Sequence, residues 1–359
     1  MKQRLAAILL AGVTALCAVA AAPASAQDLA SYVDKIRRMP AAANAAEVGA
    51  QRVELNAAWR TFGNYREDSI PLLRRELALE VRAARPSPQF LLEAAYFLTV
   101  YGDDSDKPLA AQAALAIPPG AALDGPQLFR LLHAVAAGKD VRLLPLIDSA
   151  FLRASVALPL PQQGSQIDDA GLRVLLYGRF GAAGERHLAA VLRDESVVKQ
   201  ALDVLLLVGG PDSVAGVLPL LQSADMEVFT RAVNFLLRAG GPEGRQVLLT
   251  FKRPELPPEG VEFFVPIREQ LARQPVTPRG QGAIPDAEVR RQLDALEASD
   301  GSYGDTNPAA IIQSNLPKQE LMERLTRIRE RSFARATNEA LAEIETTNAL
   351  LNAVRYRDQ

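Results

Sequence analysis

Apolar residues return at steps of three and four over most of residues 46–253 and again over 317–356, the spacing that lays one stripe along an α-helix. The clearest instance occurs twice without a gap. Residues 194–211 read DESVVKQALDVLLLVGGP and residues 225–242 read DMEVFTRAVNFLLRAGGP. Asp194 falls on Asp225, Val197 on Val228, Ala201 on Ala232, Leu202 on Val233 and Leu205 on Leu236. Gly209, Gly210 and Pro211 fall on Gly240, Gly241 and Pro242. Each copy starts on an Asp suited to capping free backbone N–H groups. Each ends on glycine, which can take the left-handed cap conformation, followed by proline, which cannot extend the helix. A second apolar helix follows each copy, VAGVLPLLQ at 214–222 and RQVLLTF at 245–251.

The same pattern predicts earlier helix pairs: 46–82 divided near Gly63 and Asn64, then 90–102 with 108–117, then 126–138 with 140–152. Trp59 and Phe62 are expected to plug the end of the array. The Pro-containing stretch 157–167 reads as a loop, and Leu172, Leu175, Leu176 and Phe180 then form a shortened helix closed by Gly181, with ERHLAAVLRD as its partner. From Pro254 to Pro285 there are seven prolines, which predicts a connector, with GVEFFVP at 260–266 as a strand or extended segment. A short helix at 286–298 and a loop at 299–310 precede one long helix over 317–356, about 60 Å at the usual rise. Its seam of Ala340, Ile344, Thr347, Leu351 and Val354 must pack on the rest of the chain, on a second copy or on another protein.

An isolated hairpin of this kind cannot bury its apolar faces, so successive copies are expected to stack. The Asp, the three-four periodicity and the turn before a second leucine-rich helix resemble HEAT-like repeats, most specifically over 168–253. The resemblance implies an all-α fold: an α-solenoid of HEAT-like hairpins over 27–253, a Pro/Gly-rich connector over 254–285 and a C-terminal helical segment over 286–359. It implies no particular activity. In such solenoids the second helices line the concave face, which would make Arg186, His187, Arg193, Gln222, Arg245 and Gln246 the partner-binding residues.

Composition adds a destination. Lys2 and Arg4, the apolar run Leu5–Ala22 and the small residues Ala24, Ser25 and Ala26 form an export signal cut after Ala26, leaving the protein periplasmic or secreted. Leu16 before Cys17 argues against lipidation. Loss of Lys2 and Arg4 takes the formal net charge from −2 to −4, and with no basic tract nucleic acid is not expected as a partner. No later run is apolar enough to span a membrane. The single cysteine, Cys17, leaves with the signal, so core burial rather than disulfides must stabilise the fold.

The candidate chemistry is thin. His133 and His187 lie on different helices and suit packed or surface roles better than ligation. Asp300–Asn307, DGSYGDTN, fails as a calcium loop because Gly304, Asp305 and Ile311 occupy ligand or turn positions. Asp103, Asp104 and Asp106 read as turn and cap residues. The chain offers neither a serine elbow nor a phosphate-cradling glycine loop. No catalytic residue, metal or cofactor is therefore expected. The expected role is a protein-binding scaffold or adaptor in an envelope assembly, with self-association through the C-terminal helix as an added route. The alternative is an envelope enzyme or polysaccharide-binding protein with acidic and aromatic residues in a groove.

Overall fold

The computed structural model describes residues 26–40, 45–154, 167–253, 255–273, 285–298 and 307–357. Most of the expected export signal, nearly all of the expected loop at 157–167, much of the expected connector and residues 300–306 of the rejected calcium loop lie outside them. Among the described residues every regular element is helical. The first seven helices are α1 (Ala26–Arg37), α2 (Ala45–Asn64), α3 (Arg66–Glu80), α4 (Pro88–Tyr101), α5 (Lys107–Ala116), α6 (Gly125–Val135) and α7 (Leu144–Ile147), the last continuing into a π turn at Asp148–Leu152. Next come α8 (Asp169–Gly178), α9 (Ala182–Val191), α10 (Val198–Val208), α11 (Val214–Val217), α12 (Met226–Ala239), α13 (Gly241–Thr250) and α14 (Pro258–Arg273). The chain closes with α15 (Asp286–Ala298), α16 (Pro308–Gln313), α17 (Lys318–Ala334) and α18 (Asn338–Tyr356).

Of the expected pairs, α2 packs on α3, α4 on α5, α8 on α9 and α12 on α13. Their first helices also pack in series: α4 on α6, α6 on α8, α8 on α10, α10 on α12 and α12 on α14. The stripes read from the repeat carry this row. Ala201, Leu202, Leu205, Ala232, Val233 and Leu236 are all essentially inaccessible to solvent. One continuous apolar core runs from Leu29 to Phe264, and a second gathers Val289, Leu293, Ile311, Leu325, Ile328 and Leu351 from α15–α18.

Several expectations give way. No helix was expected before residue 46, yet Leu29, Val33 and Ile36 of α1, spaced four and three apart, are buried and α1 packs on α2, α3 and α4. Trp59 is therefore not a terminal plug. It packs on Tyr96, Phe97 and Tyr101 of α4, while Tyr32 of α1 meets Phe62 edge-on. The segment 260–266 is neither a strand nor extended: it is helix, inside α14. Pro257 and Pro258 sit where the first turn has no N–H to lose, and burial of Phe264 against Phe229 and Phe251, at ring separations of 6.0 and 5.5 Å, outweighs the interior Pro266. At 214–222 the second helix breaks into α11 and a 3₁₀ stretch at Leu218–Gln222, because Pro219 removes a donor.

The two repeat copies also differ at their ends. Asp225 caps α12 through the N–H groups of Glu227 (2.8 Å) and Val228 (3.4 Å), but Asp194 closes a tight turn on Ser196, and α10 starts only at Val198. Gly241 has a left-handed φ of 54°, whereas Gly209 and Gly210 have φ of −75° and −145°. Glycine at 209 serves close packing instead: a Cβ there would lie 2.6 Å from the Phe235 ring.

The long terminal helix is two helices. Thr337 caps α18 by accepting the Ala340 N–H (3.2 Å), and α17 packs along α18. A single rod would leave both apolar stripes bare; the reversal buries Leu321, Leu325 and Ile328 of one with Leu350, Leu351 and Val354 of the other in the same small core. Ala340, Ile344, Thr347, Leu351 and Val354 are all buried, so the seam is satisfied inside the chain and is not an open face for self-association.

The α17–α18 pair lies across the C-terminal ends of α8, α10 and α12. Phe333 rests on Gly178; Asn348 and Asn352 donate to the Gly209 carbonyl at 2.9 and 3.1 Å; Tyr356 lies on Gly241 and donates to Ala239. Helix propensity alone makes Gly178→Ala stabilising by about 1 kcal/mol. Because the added methyl would fall within the Phe333 ring, we expect a net loss of about 1–3 kcal/mol. The urea midpoint of the variant measures this, and a raised midpoint would contradict the docking of α17 on α8.

Candidate binding surface

The six residues expected on the second-helix face do not share one fate. Arg193 on the segment after α9, Gln222 at the end of the 3₁₀ stretch and Gln246 on α13 are exposed. Arg186 on α9 is also exposed and meets Asp212 at 3.6 Å, an ion pair of small energetic weight at a wet surface. Arg245 turns under α14 and donates to the Leu271 carbonyl.

His187 turns the other way. Its Nε2 meets both oxygens of Asp148 at 2.9 and 3.0 Å, and its ring stacks on Tyr177, whose hydroxyl donates to Asp148 at 2.6 Å. Burial, reinforced by the Asp148 charge and hydrogen bond, pushes the Tyr177 hydroxyl above its ordinary range, so it remains a neutral donor. The three side chains join the π turn after α7 to α8 and α9. His133 is likewise packed: it stacks on Phe129 and its Nε2 lies 2.7 Å from the Phe333 carbonyl, with burial depressing its pKa.

The acidic turn after α4 does what its sequence suggests. Asp103 caps Ser105, Asp106 accepts the Asp103 N–H at 2.9 Å, and Arg74 of α3 spans both carboxylates. Asn307 caps α16 through the Ala310 N–H. Among the described residues no group of three or more His, Cys, Asp and Glu is placed to hold a metal ion, and no helix is long and apolar enough to cross a membrane.

Two features escaped the sequence reading. The first is Glu93 on α4, which is 3% exposed and takes hydrogen bonds from Trp59, Gln89 (2.7 Å) and Gln127 (3.2 Å). Burial raises its pKa to about 7, Asp124 adds to the rise, and the three donors oppose it. The second is a polar cavity of about 310 Å³ where α17 and α18 cross α8–α10, lined by Gly178, Gly210, Glu185, Arg329 and Arg355 among others. Asn348 and Asn352, four apart on the buried side of a helix, were the sequence signal for that crossing, because buried amides at such spacing need partners.

Comparison of the chain with protein-family models, with curated proteins and with solved structures gives no match.

Glu93 makes stability depend on pH with a definite sign. Its folded pKa lies above the unfolded value near 4.5, so its contribution is intact at lower pH and is lost as pH rises through about 7, by about 3 kcal/mol in all. His133, with a depressed pKa, acts oppositely below pH 6.5. We expect the stability of Glu93→Gln relative to wild type to increase steadily from pH 4.5 to 7, whatever its offset. Denaturation curves at several pH values test this; parallel profiles for the two proteins would rule out a proton on buried Glu93.

Proposed function

We propose that the chain is an exported α-solenoid of HEAT-like hairpins that acts as a protein-binding scaffold or adaptor in a cell-envelope assembly, holding its partner on the second-helix face. The observation that carries this reading is the serial packing of α8, α10, α12 and α14, with α9 and α13 flanking that row. Serial packing of this kind extends a surface over many turns of helix, and such surfaces suit protein or polymer partners. Arg186, Arg193, Gln222 and Gln246 supply exposed polar groups along it. Arg245 and His187 support it from beneath by fixing α14 and the α7 turn. Export rests on the basic start, apolar run and Ala-Ser-Ala ending of residues 1–26.

The rival, an envelope enzyme or polysaccharide-binding protein, asks for aromatics ranged along an open groove. Trp59, Tyr96, Phe97 and Tyr101 instead pack against one another, with ring centroids 4.7–6.2 Å apart. The scaffold therefore remains the preferred reading.

The test is affinity capture from envelope extract with the mature protein and with a double variant, Arg193→Glu and Gln246→Glu. One stoichiometric partner is expected with the wild type and at least a tenfold lower recovery with the variant. Equal recovery by both proteins, or turnover of a cell-wall substrate without a partner, would overturn the proposal.

A further inference from the structure

The cavity beneath the α17–α18 crossing is built with unusual care for a surface that the scaffold reading does not use. Asn348 and Asn352 stand one turn apart on α18, and each amide works at both ends. Their nitrogens donate to the Gly209 carbonyl; the Asn348 oxygen accepts from Arg329 Nη1 at 2.6 Å and the Asn352 oxygen from Arg355 Nη1 at 3.3 Å. Two guanidiniums are thus held by amides that are themselves pinned to the end of α10.

Neither guanidinium has a carboxylate partner among the described residues, although both line the same cavity. The Nε of Arg329 is buried without any hydrogen-bond acceptor, which is costly for a charged group. Two carboxylates share the wall and are engaged elsewhere. One oxygen of Glu185 accepts the N–H groups of Gly210 (2.8 Å) and Ser213 (3.1 Å) and the Ser213 hydroxyl (3.0 Å), while Asp212 meets Arg186. Arg329 feels the charges of Glu185 and Glu330, and Tyr356 those of Glu243, Glu185 and Asp212.

The wall therefore carries two positive groups, both from the C-terminal hairpin, and two negative groups, from α9 and the turn after Gly210, with Arg355 Nη1 and Glu185 Oε1 both beside Gly210. A dianion such as phosphate would gain from the guanidiniums and be repelled by the carboxylates. A planar carboxylate with a cationic group a few ångströms away suits both, since guanidinium pairs match carboxylate oxygens geometrically. At about 310 Å³ the space is at the small end of ligand sites.

We propose that this cavity binds a small zwitterion of the α-amino-acid type, its carboxylate on Arg329 and Arg355 and its ammonium toward Glu185 and Asp212. The ligand takes the place of the missing counter-ion and ties the C-terminal hairpin to α8–α10.

Calorimetric titration of the full chain with the twenty L-amino acids, acetate, methylammonium and inorganic phosphate tests this. At least one amino acid should bind at least tenfold more tightly than acetate or methylammonium and raise the melting temperature. Arg355→Gln should weaken that binding tenfold or more. Gly210→Ala should do the same by an independent route: Gly210 has negative φ, and its new methyl would lie 2.8 Å from Arg355 Nη1, pushing the guanidinium aside. The Arg193→Glu, Gln246→Glu protein should bind as wild type does, which separates this site from the scaffold surface. Phosphate binding more tightly than every amino acid, no binding by any probe, or undiminished affinity in both cavity variants would each overturn the proposal.

Discussion

The structure depends on how closely the C-terminal helical hairpin can approach the ends of α8, α10 and α12. A helix terminus leaves carbonyls without partners, and a row of such termini is a polar strip that must be solvated or covered. Here part of it is covered. The Gly209 carbonyl takes two side-chain amides, the Ala239 carbonyl takes the Tyr356 hydroxyl, and the rings of Phe333 and Tyr356 settle where Gly178 and Gly241 present no side chain. The glycines do more than end helices; they set the distance at which a second layer can lie across the first.

That contact links the two apolar cores. Phe333 and Ile344 come from the hairpin yet belong to the core of the helix row, while Leu321, Leu325, Leu350 and Leu351 hold the hairpin together from within. Exposed ion pairs such as Lys139 with Glu330 and Arg238 with Glu345 frame the junction at 2.9 and 2.8 Å, adding orientation more than energy. Buried polar groups carry more of the specificity, because misplacing Asn348 or Asn352 would leave a buried amide without its carbonyl and a guanidinium without its acceptor.

Much of this was legible in the sequence. The stripe of Ala201, Leu202 and Leu205 and its copy 31 residues later specified two helices and the face that each buries. What escaped depends on distant residues. Pro266 reads as a helix breaker until Phe229 and Phe251 are known to surround Phe264. The division at Thr337 lacks a glycine or proline, and only the matching of two apolar stripes makes it necessary. Of the candidate surface residues, those with no internal partner stayed where helical periodicity put them, whereas His187 and Arg245 were drawn inward by Asp148 and by a carbonyl on α14. Arg329 and Arg355 left no local trace: arginine on an amphipathic helix looks like any solvated charge until an asparagine, on the neighbouring helix for Arg329 and one turn away for Arg355, is found to hold it.

The covering layer is also remote along the chain, with the Asn348–Gly209 contact spanning 139 residues and the His133–Phe333 contact 200. Contacts of that reach are slow to close, whereas neighbouring helices pair as soon as both exist. The row of neighbouring helices is therefore expected to pair before α17 and α18 lie across its glycine turns. Until the α17–α18 hairpin docks, the Gly209 and Ala239 carbonyls that it covers have only water to bond to, and the row keeps an edge of bare backbone.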